Sequence, residues 1–200
     1  MNILNTYNVC FLGRTGNGKS TLINALYGTT FQTAPLLSCT KELYTVTLMG
    51  NCPEGFDAIT VYDTPGIGEF SSNSAYQCFY MHAATKAHCV VLVTTFDRTD
   101  APAQRLMLEL RQCFEDRRVK FVAALNHIDS AIVAADTSYT PWDEAADKPT
   151  EKCLANIAER TDILHQRFDK YVDGGLSTVV PVCGIRNYGI HELKTAIELF

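Results

Sequence analysis

The sequence predicts an α/β domain built on a mainly parallel sheet. Three observations carry that reading. Short runs rich in β-branched residues alternate with stretches of helical periodicity. A glycine-rich loop joins the first such run to the first helical stretch. The chain has 200 residues, enough for one well-buried core, with no second block of similar size. A single domain over residues 1–200 is therefore expected. The last helical stretch is short and the chain stops after it, which leaves open a domain cut from a longer protein.

Taken in order, residues 7–12 form a short apolar strand and residues 19–27 a helix. Residues 43–49 alternate apolar and polar, the mark of a half-buried strand. A turn rich in Gly, Asn and Pro over 50–55 leads to a strand at 58–62, so the two strands pair as a hairpin. A helix over 74–86 is followed by a strongly apolar strand at 88–95. Pro102 sits in the first turn of a helix over 102–115, and 119–125 is another buried strand. Residues 130–149 are mostly polar and irregular and read as a long loop. A long helix starts near 150, with Leu154, Ile157, Thr161, Leu164, Phe168 and Tyr171 on one face for packing on the sheet. A strand at 178–182 and a helix at 190–199 complete the chain.

Composition narrows the function classes. A formal net charge of −5 argues against direct nucleic-acid binding, which favours a basic footprint. The basic stretch 111–120 reads as a solvated helix end. Eight cysteines are widely spaced with no Cys-x-x-Cys pair, so neither a zinc ribbon nor a redox dithiol is expected. Cys10, Cys89 and Cys183 fall in or beside apolar runs and act as small core residues. No secretory signal precedes the first strand and no apolar run is long enough to span a bilayer, so a cytoplasmic protein with no transmembrane segment is expected.

Gly13, Arg14, Thr15, Gly16, Asn17, Gly18, Lys19 and Ser20 follow a strand and open a helix, the context that the G-x-x-x-x-G-K-[ST] pattern requires. Glycines let the backbone curl so that several N–H groups face one anion, and the helix N-terminus adds partial positive charge. Lys19 brings a compact charge to the β- and γ-phosphates, and the Ser20 hydroxyl ligates Mg2+. Thr21 follows in the same turn and belongs to the site. Asp63, Thr64, Pro65 and Gly66 end another strand. There Asp63 holds Mg2+ through water, and the Gly66 N–H meets the γ-phosphate. Between these motifs, Thr40 lies just before a strand and is the candidate to reach Mg2+ and the γ-phosphate from a closing loop. Thr29, Thr30 and Thr33 compete with it for that role.

Asn126, His127, Ile128 and Asp129 follow a strand and resemble the Asn-Lys-x-Asp element of GTPases, with His in place of Lys. The resemblance implies that Asp129 accepts from guanine N1–H and the exocyclic amine, that Asn126 braces the loop, and that His127 stacks on the base. Cys183, Gly184, Ile185 and Arg186 resemble the Ser-Ala-x-Lys element, in which a backbone N–H, here that of Gly184, meets guanine O6.

All five elements stand in this order across residues 13–186 and resemble those of Era-like P-loop GTPases of the translation-factor-related class. Residues 22–26 after the phosphate loop are typical of that branch. The run 63–69, Pro141-Trp142-Asp143 and residues 148–157 are similar to the bacterial YfjP/YeeP-like group. The resemblance implies a three-layer Ras-like domain with a six-stranded mainly parallel sheet and one antiparallel edge strand. It also implies GTP/GDP and Mg2+ as ligands, a molecular switch, and Lys19, Thr40 and Gly66 as the groups nearest the reaction.

Ile67 occupies the position where Ras-type enzymes carry a glutamine that orients water. Ile has no donor or acceptor, so slow hydrolysis is expected, accelerated by a protein activator, a second copy of the chain or a rearranged loop. A scaffold that binds GTP without hydrolysing it is the alternative, and a ribosome- or RNA-associated assembly GTPase is a further one by analogy of fold.

Overall fold

The computed structural model describes residues 4–31, 42–50, 52–67, 74–96, 101–115, 117–131, 139–169 and 175–199. The strands are β1 (Thr6–Gly13), β2 (Tyr44–Met49), β3 (Ala58–Asp63), β4 (Cys89–Thr94), β5 (Lys120–Leu125), β6 (Trp142–Asp143), β7 (Lys148–Pro149) and β8 (Thr178–Pro181). The helices are α1 (Lys19–Tyr27), α2 (Ser74–Ala84), α3 (Ala101–Phe114), α4 (Glu151–Phe168) and α5 (Ile190–Glu198).

Six strands form one sheet in the order β2-β3-β1-β4-β5-β8. All neighbours pair in parallel except β2 with β3, where Tyr44 faces Asp63 and Met49 faces Ala58. This is the expected mainly parallel sheet with one antiparallel edge strand. The central strands are buried almost throughout because helices cover both faces. Alternation along β1 shows how: Tyr7, Val9 and Phe11 pack with Leu22, Ile23 and Leu26 of α1 and Leu193 and Ile197 of α5. Cys10 and Leu12 turn the other way, into the layer of α2, α3 and α4 that includes Tyr80, Met107 and Leu164.

Two expectations need correction. Residues 130–149 are not irregular throughout, since β6 and β7 form a small antiparallel hairpin. Asp143 accepts from the N–H groups of Ala145 and Ala146, and Asp147 takes a positive φ of 47° to close the turn. The buried face of α4 also starts one residue earlier than its aliphatic spacing suggests. Cys153 is buried with Ile157, Leu164 and Phe168, whereas Leu154 is exposed. The helix is capped at its start, where the Thr150 hydroxyl accepts from the Cys153 N–H. Tyr171 lies outside the described residues.

In the basic stretch, Arg117 is not simply solvated. Its guanidinium donates to the carbonyls of Ala84, Ala87 and Cys113, joining the ends of α2 and α3. Among the described residues, no helix is long and apolar enough to cross a membrane.

Candidate functional site

The site lies at the carboxyl ends of β1, β3, β5 and β8, where an open α/β sheet leaves a crevice. β1 delivers Gly13, and α1 begins at Lys19 with Gly18 as its N-cap in the left-handed region, φ 84° and ψ 24°. Gly16 has φ 78°, so the backbone curls at two points. A Cβ on Gly18 would fall on the Asn126 side-chain amide and 3.1 Å from His127 Nε2, so this position fits glycine alone. Gly16 is exposed, and Arg14 and Thr15 are half-buried.

Lys19 is buried against its own loop, with Nζ donating to the carbonyls of Gly13 at 3.1 Å and Arg14 at 3.4 Å. The Ser20 hydroxyl donates to Asp63 Oδ2 at 2.5 Å. Asp63 is itself buried at the end of β3, beside Phe11 of β1. The Thr21 methyl faces Gly184.

The backbone after Asp63 is fastened at three places. The Thr64 hydroxyl donates to the Phe11 carbonyl at 2.7 Å, and the Tyr80 hydroxyl to the Pro65 carbonyl at 3.0 Å. The Ile67 N–H donates to the Gly13 carbonyl at 3.1 Å. Gly66 consequently lies so close to Thr15 that a Cβ there would overlap it. The Ile67 side chain is buried in the α2–α3–α4 layer.

The other wall is made by β5 and β8. Asn126 is 1% exposed, and its backbone N–H donates to the Thr94 carbonyl. Its side chain donates to the Asn17 carbonyl at 2.9 Å and accepts from the Gly184 N–H at 3.3 Å. The N–H expected to face guanine O6 is thus directed at Asn126 Oδ1. His127 adopts the left-handed region, φ 59°, and starts the short 3-10 turn Ile128–Ser130 that carries Asp129.

Two thiols border Asp129. Burial first, then a hydrogen bond to Asp129, pushes Cys183 up to about 11. Burial and then the Asp129 charge push Cys153 to about 11. Both cysteines are therefore neutral thiols beside a carboxylate at ordinary pH.

The Asn17 side chain is 3% exposed and turns inward, donating to the Val93 carbonyl of β4. Of the threonines competing with Thr40, Thr29 spends its hydroxyl on Asn24 Oδ1, and Thr30 is exposed. Thr33 and Thr40 lie outside the described residues.

Sequence reasoning left Arg186 without a role. Its guanidinium forks onto Glu144, with Nη1–Oε2 at 2.9 Å and Nη2–Oε1 at 2.6 Å. It lies 4.8 Å from the Trp142 ring centre, and its Nε is 3.5 Å from Asp129 Oδ2. The signal was available in part, as an arginine in the last motif and a Trp-Asp pair in the preceding loop.

The donor set can be tested against a magnesium–phosphate group. Ser20 and Asp63 offer hard oxygens at one point, and the left-handed glycines form the concave turn a phosphate needs. Among the described residues no group of three His, Cys, Asp or Glu could hold a metal. The residues fit the group.

Comparison with known proteins agrees with this geometry. The model of the family described as 50S ribosome-binding GTPase matches residues 8–127. GTP-binding protein A of Dictyostelium discoideum is 33% identical over 102 residues, covering 48% of this chain and 22% of that protein. Toc33 from Arabidopsis thaliana, solved as a dimerization-deficient mutant, has a TM-score of 0.69 at 19% identity, covering 97% of this chain and 83% of that one. Era in complex with MgGDPNP and a segment of 16S ribosomal RNA has a TM-score of 0.61 at 20% identity, covering 98% and 57%. The FeoB G-domain from Methanococcus jannaschii has a TM-score of 0.52 at 20% identity, covering 97% and 96%. The chain thus spans 22% of the Dictyostelium relative and 57% of the Era chain.

Proposed function

Because the chain belongs to the 50S ribosome-binding GTPase family, we propose that it binds GTP and GDP with Mg2+ in this crevice and hydrolyses GTP slowly as a molecular switch. The observation that carries the reading is the position of Asn126, whose one side chain is bonded both to the phosphate loop and to the last loop. Phosphate and base recognition are then parts of one rigid unit.

The roles follow from the chemistry of each group. Loop 13–18 offers backbone N–H groups to the phosphates, and Lys19, already buried at the loop, exchanges carbonyl partners for phosphate oxygens. Ser20 and Asp63 would hold Mg2+, which on binding neutralises charge on the β- and γ-phosphates. Asp129 accepts from guanine N1–H and the exocyclic amine, an arrangement that adenine cannot satisfy. His127 packs beside the base, and Cys183 and Gly184 line its edge. Gly66 and Thr40 sense the γ-phosphate. In hydrolysis, water attacks the γ-phosphorus, the bond to the β-bridging oxygen breaks, and GDP and phosphate leave.

Burial of Ile67 supports a slow rate, since this position cannot orient water. A protein activator or a homodimer is the proposed source of acceleration, with half-buried Arg14 near the phosphate loop as one group a second copy would meet. A cytoplasmic location and the YfjP/YeeP-like subgroup, suggested by residues 63–69 and 141–143, belong to the same proposal.

The same burial favours a second reading, a scaffold that binds GTP without turnover. Single-turnover hydrolysis with excess protein and Mg2+ separates the two. Formation of GDP that disappears in Lys19→Ala supports the switch. GTP that binds and stays intact supports the scaffold.

A further inference from the structure

We propose that Arg186, held by the β6–β7 hairpin, is a positioning residue that fixes the Asp129 carboxylate for guanine and so sets purine selectivity; this rests on the guanine-site reading above. Three independent contacts immobilise the guanidinium. Glu144 takes both Nη atoms in a fork, at 2.9 and 2.6 Å. The Trp142 ring lies under the plane at 4.8 Å from its centre to the Arg186 Cζ. Asp147 Oδ1 stands 3.6 Å from Nη1 and also accepts from the Trp142 indole at 3.2 Å. Trp142 is in turn buried and packed edge-on against Tyr188, on the loop that carries Arg186.

The fork engages both Nη atoms and leaves the Nε edge free of Glu144; among the described residues the ion-pair contact of Nε is with Asp129 Oδ2 at 3.5 Å. Nε is buried and makes no hydrogen bond, so the contact with Asp129 is an ion pair and the carboxylate charge is what compensates it. The division of donors matters. With both Nη atoms on Glu144, Arg186 cannot swing across to cover Asp129 with its own fork. With the Arg186 Nε contact and the Cys183 thiol each taking one acceptor site, two of the carboxylate's four sites remain. Those suffice for the two donors on guanine. One arginine among Asp129, Glu144 and Asp147 also leaves the cluster net negative, as a site for N–H donors should be. A lysine could supply the charge but not both contacts.

The geometry makes a specific demand on selectivity. Inosine diphosphate keeps N1–H but lacks the exocyclic amine, so it needs only half of the oriented carboxylate. If Arg186 orients Asp129, losing it should weaken GDP more than inosine diphosphate. A merely structural loss would weaken both equally.

The experiment is calorimetric titration of GDP, inosine diphosphate and ADP, each with Mg2+, into wild type, Arg186→Ala, Arg186→Lys and Glu144→Gln. Glu144 is 71% exposed, so its amide variant tests the hold on Arg186 without disturbing the core. The expected result is that the preference for GDP over inosine diphosphate falls about tenfold in both Arg186 variants and about threefold in Glu144→Gln. A ratio unchanged in all three, with wild type still favouring GDP over ADP, overturns the role of Arg186 and leaves the guanine site standing. Equal wild-type affinity for GDP and ADP overturns the guanine site, and this inference with it.

Discussion

The Asn126 side-chain amide donates to the main-chain carbonyl of Asn17 across 2.9 Å, joining residues 109 positions apart. Its oxygen accepts from Gly184, so one buried side chain ties β1, β5 and β8 together at the ends that form the crevice. Replacing it removes two hydrogen bonds and leaves a buried carbonyl and N–H to find other partners. Asn126→Ala should cost about 2–4 kcal/mol in urea unfolding and weaken GDP binding as well. A variant of unchanged stability would show that the two loops hold their places independently.

Ile67 stands where water would be oriented, yet its side chain belongs to the core. Introducing an amide there should not restore a catalytic group. Ile67→Gln is expected to lose about 1–3 kcal/mol of stability through the buried amide, with no gain in single-turnover rate. A rate increase of about tenfold or more would mean that this segment swings out of the core in the GTP state.

His88 offers a pH test remote from the crevice. Its Nδ1 accepts from the Asn8 N–H at 2.9 Å, and its ring stacks on Tyr7. Burial first, then the Arg117 charge, lowers its pKa below the ordinary value. The unfolded chain therefore binds this proton more readily than the folded one. The stability linked to neutral His88 is complete above about pH 6.5 and is lost as the pH falls through the unfolded value toward the folded one. His88→Asn keeps an acceptor for Asn8 but cannot titrate in this range. Thermal melts at about pH 7.5 and 5.5 should show a smaller loss in the variant than in wild type. Equal losses would show that His88 does not contribute to the dependence.

Side chains on α4 show where the sequence was legible and where it was not. Strands and helices were readable because β-branched runs and three-to-four spacing follow directly from burial on one or two faces. The phase of α4 was not, because Cys153 carries a weaker apolar signal than Leu154 yet is the one buried. Ile157→Ala should cost about 2–4 kcal/mol and Leu154→Ala less than about 0.5 kcal/mol. Similar costs for both would restore the aliphatic face.

The site divides in the same way. Lys19, Ser20, Asp63 and Asp129 stand in contiguous motifs whose spacing is set by one strand end and one turn, so they could be read directly. The inward turn of Asn17, the burial of Ile67 and the Arg186–Trp142–Glu144 cluster depend on contacts between distant segments. A hairpin of two-residue strands is too short to carry a period, which is why residues 142–149 looked irregular.

The most direct measurement is titration of GDP, ADP and xanthosine diphosphate, with Mg2+, into wild type and Asp129→Asn. Guanine recognition by a carboxylate requires wild type to favour GDP over ADP by about a hundredfold or more, and the amide variant to move its preference to xanthosine diphosphate, whose C2 carbonyl accepts where guanine donates. Equal affinities for the three nucleotides, with no change on substituting Asp129, would contradict it.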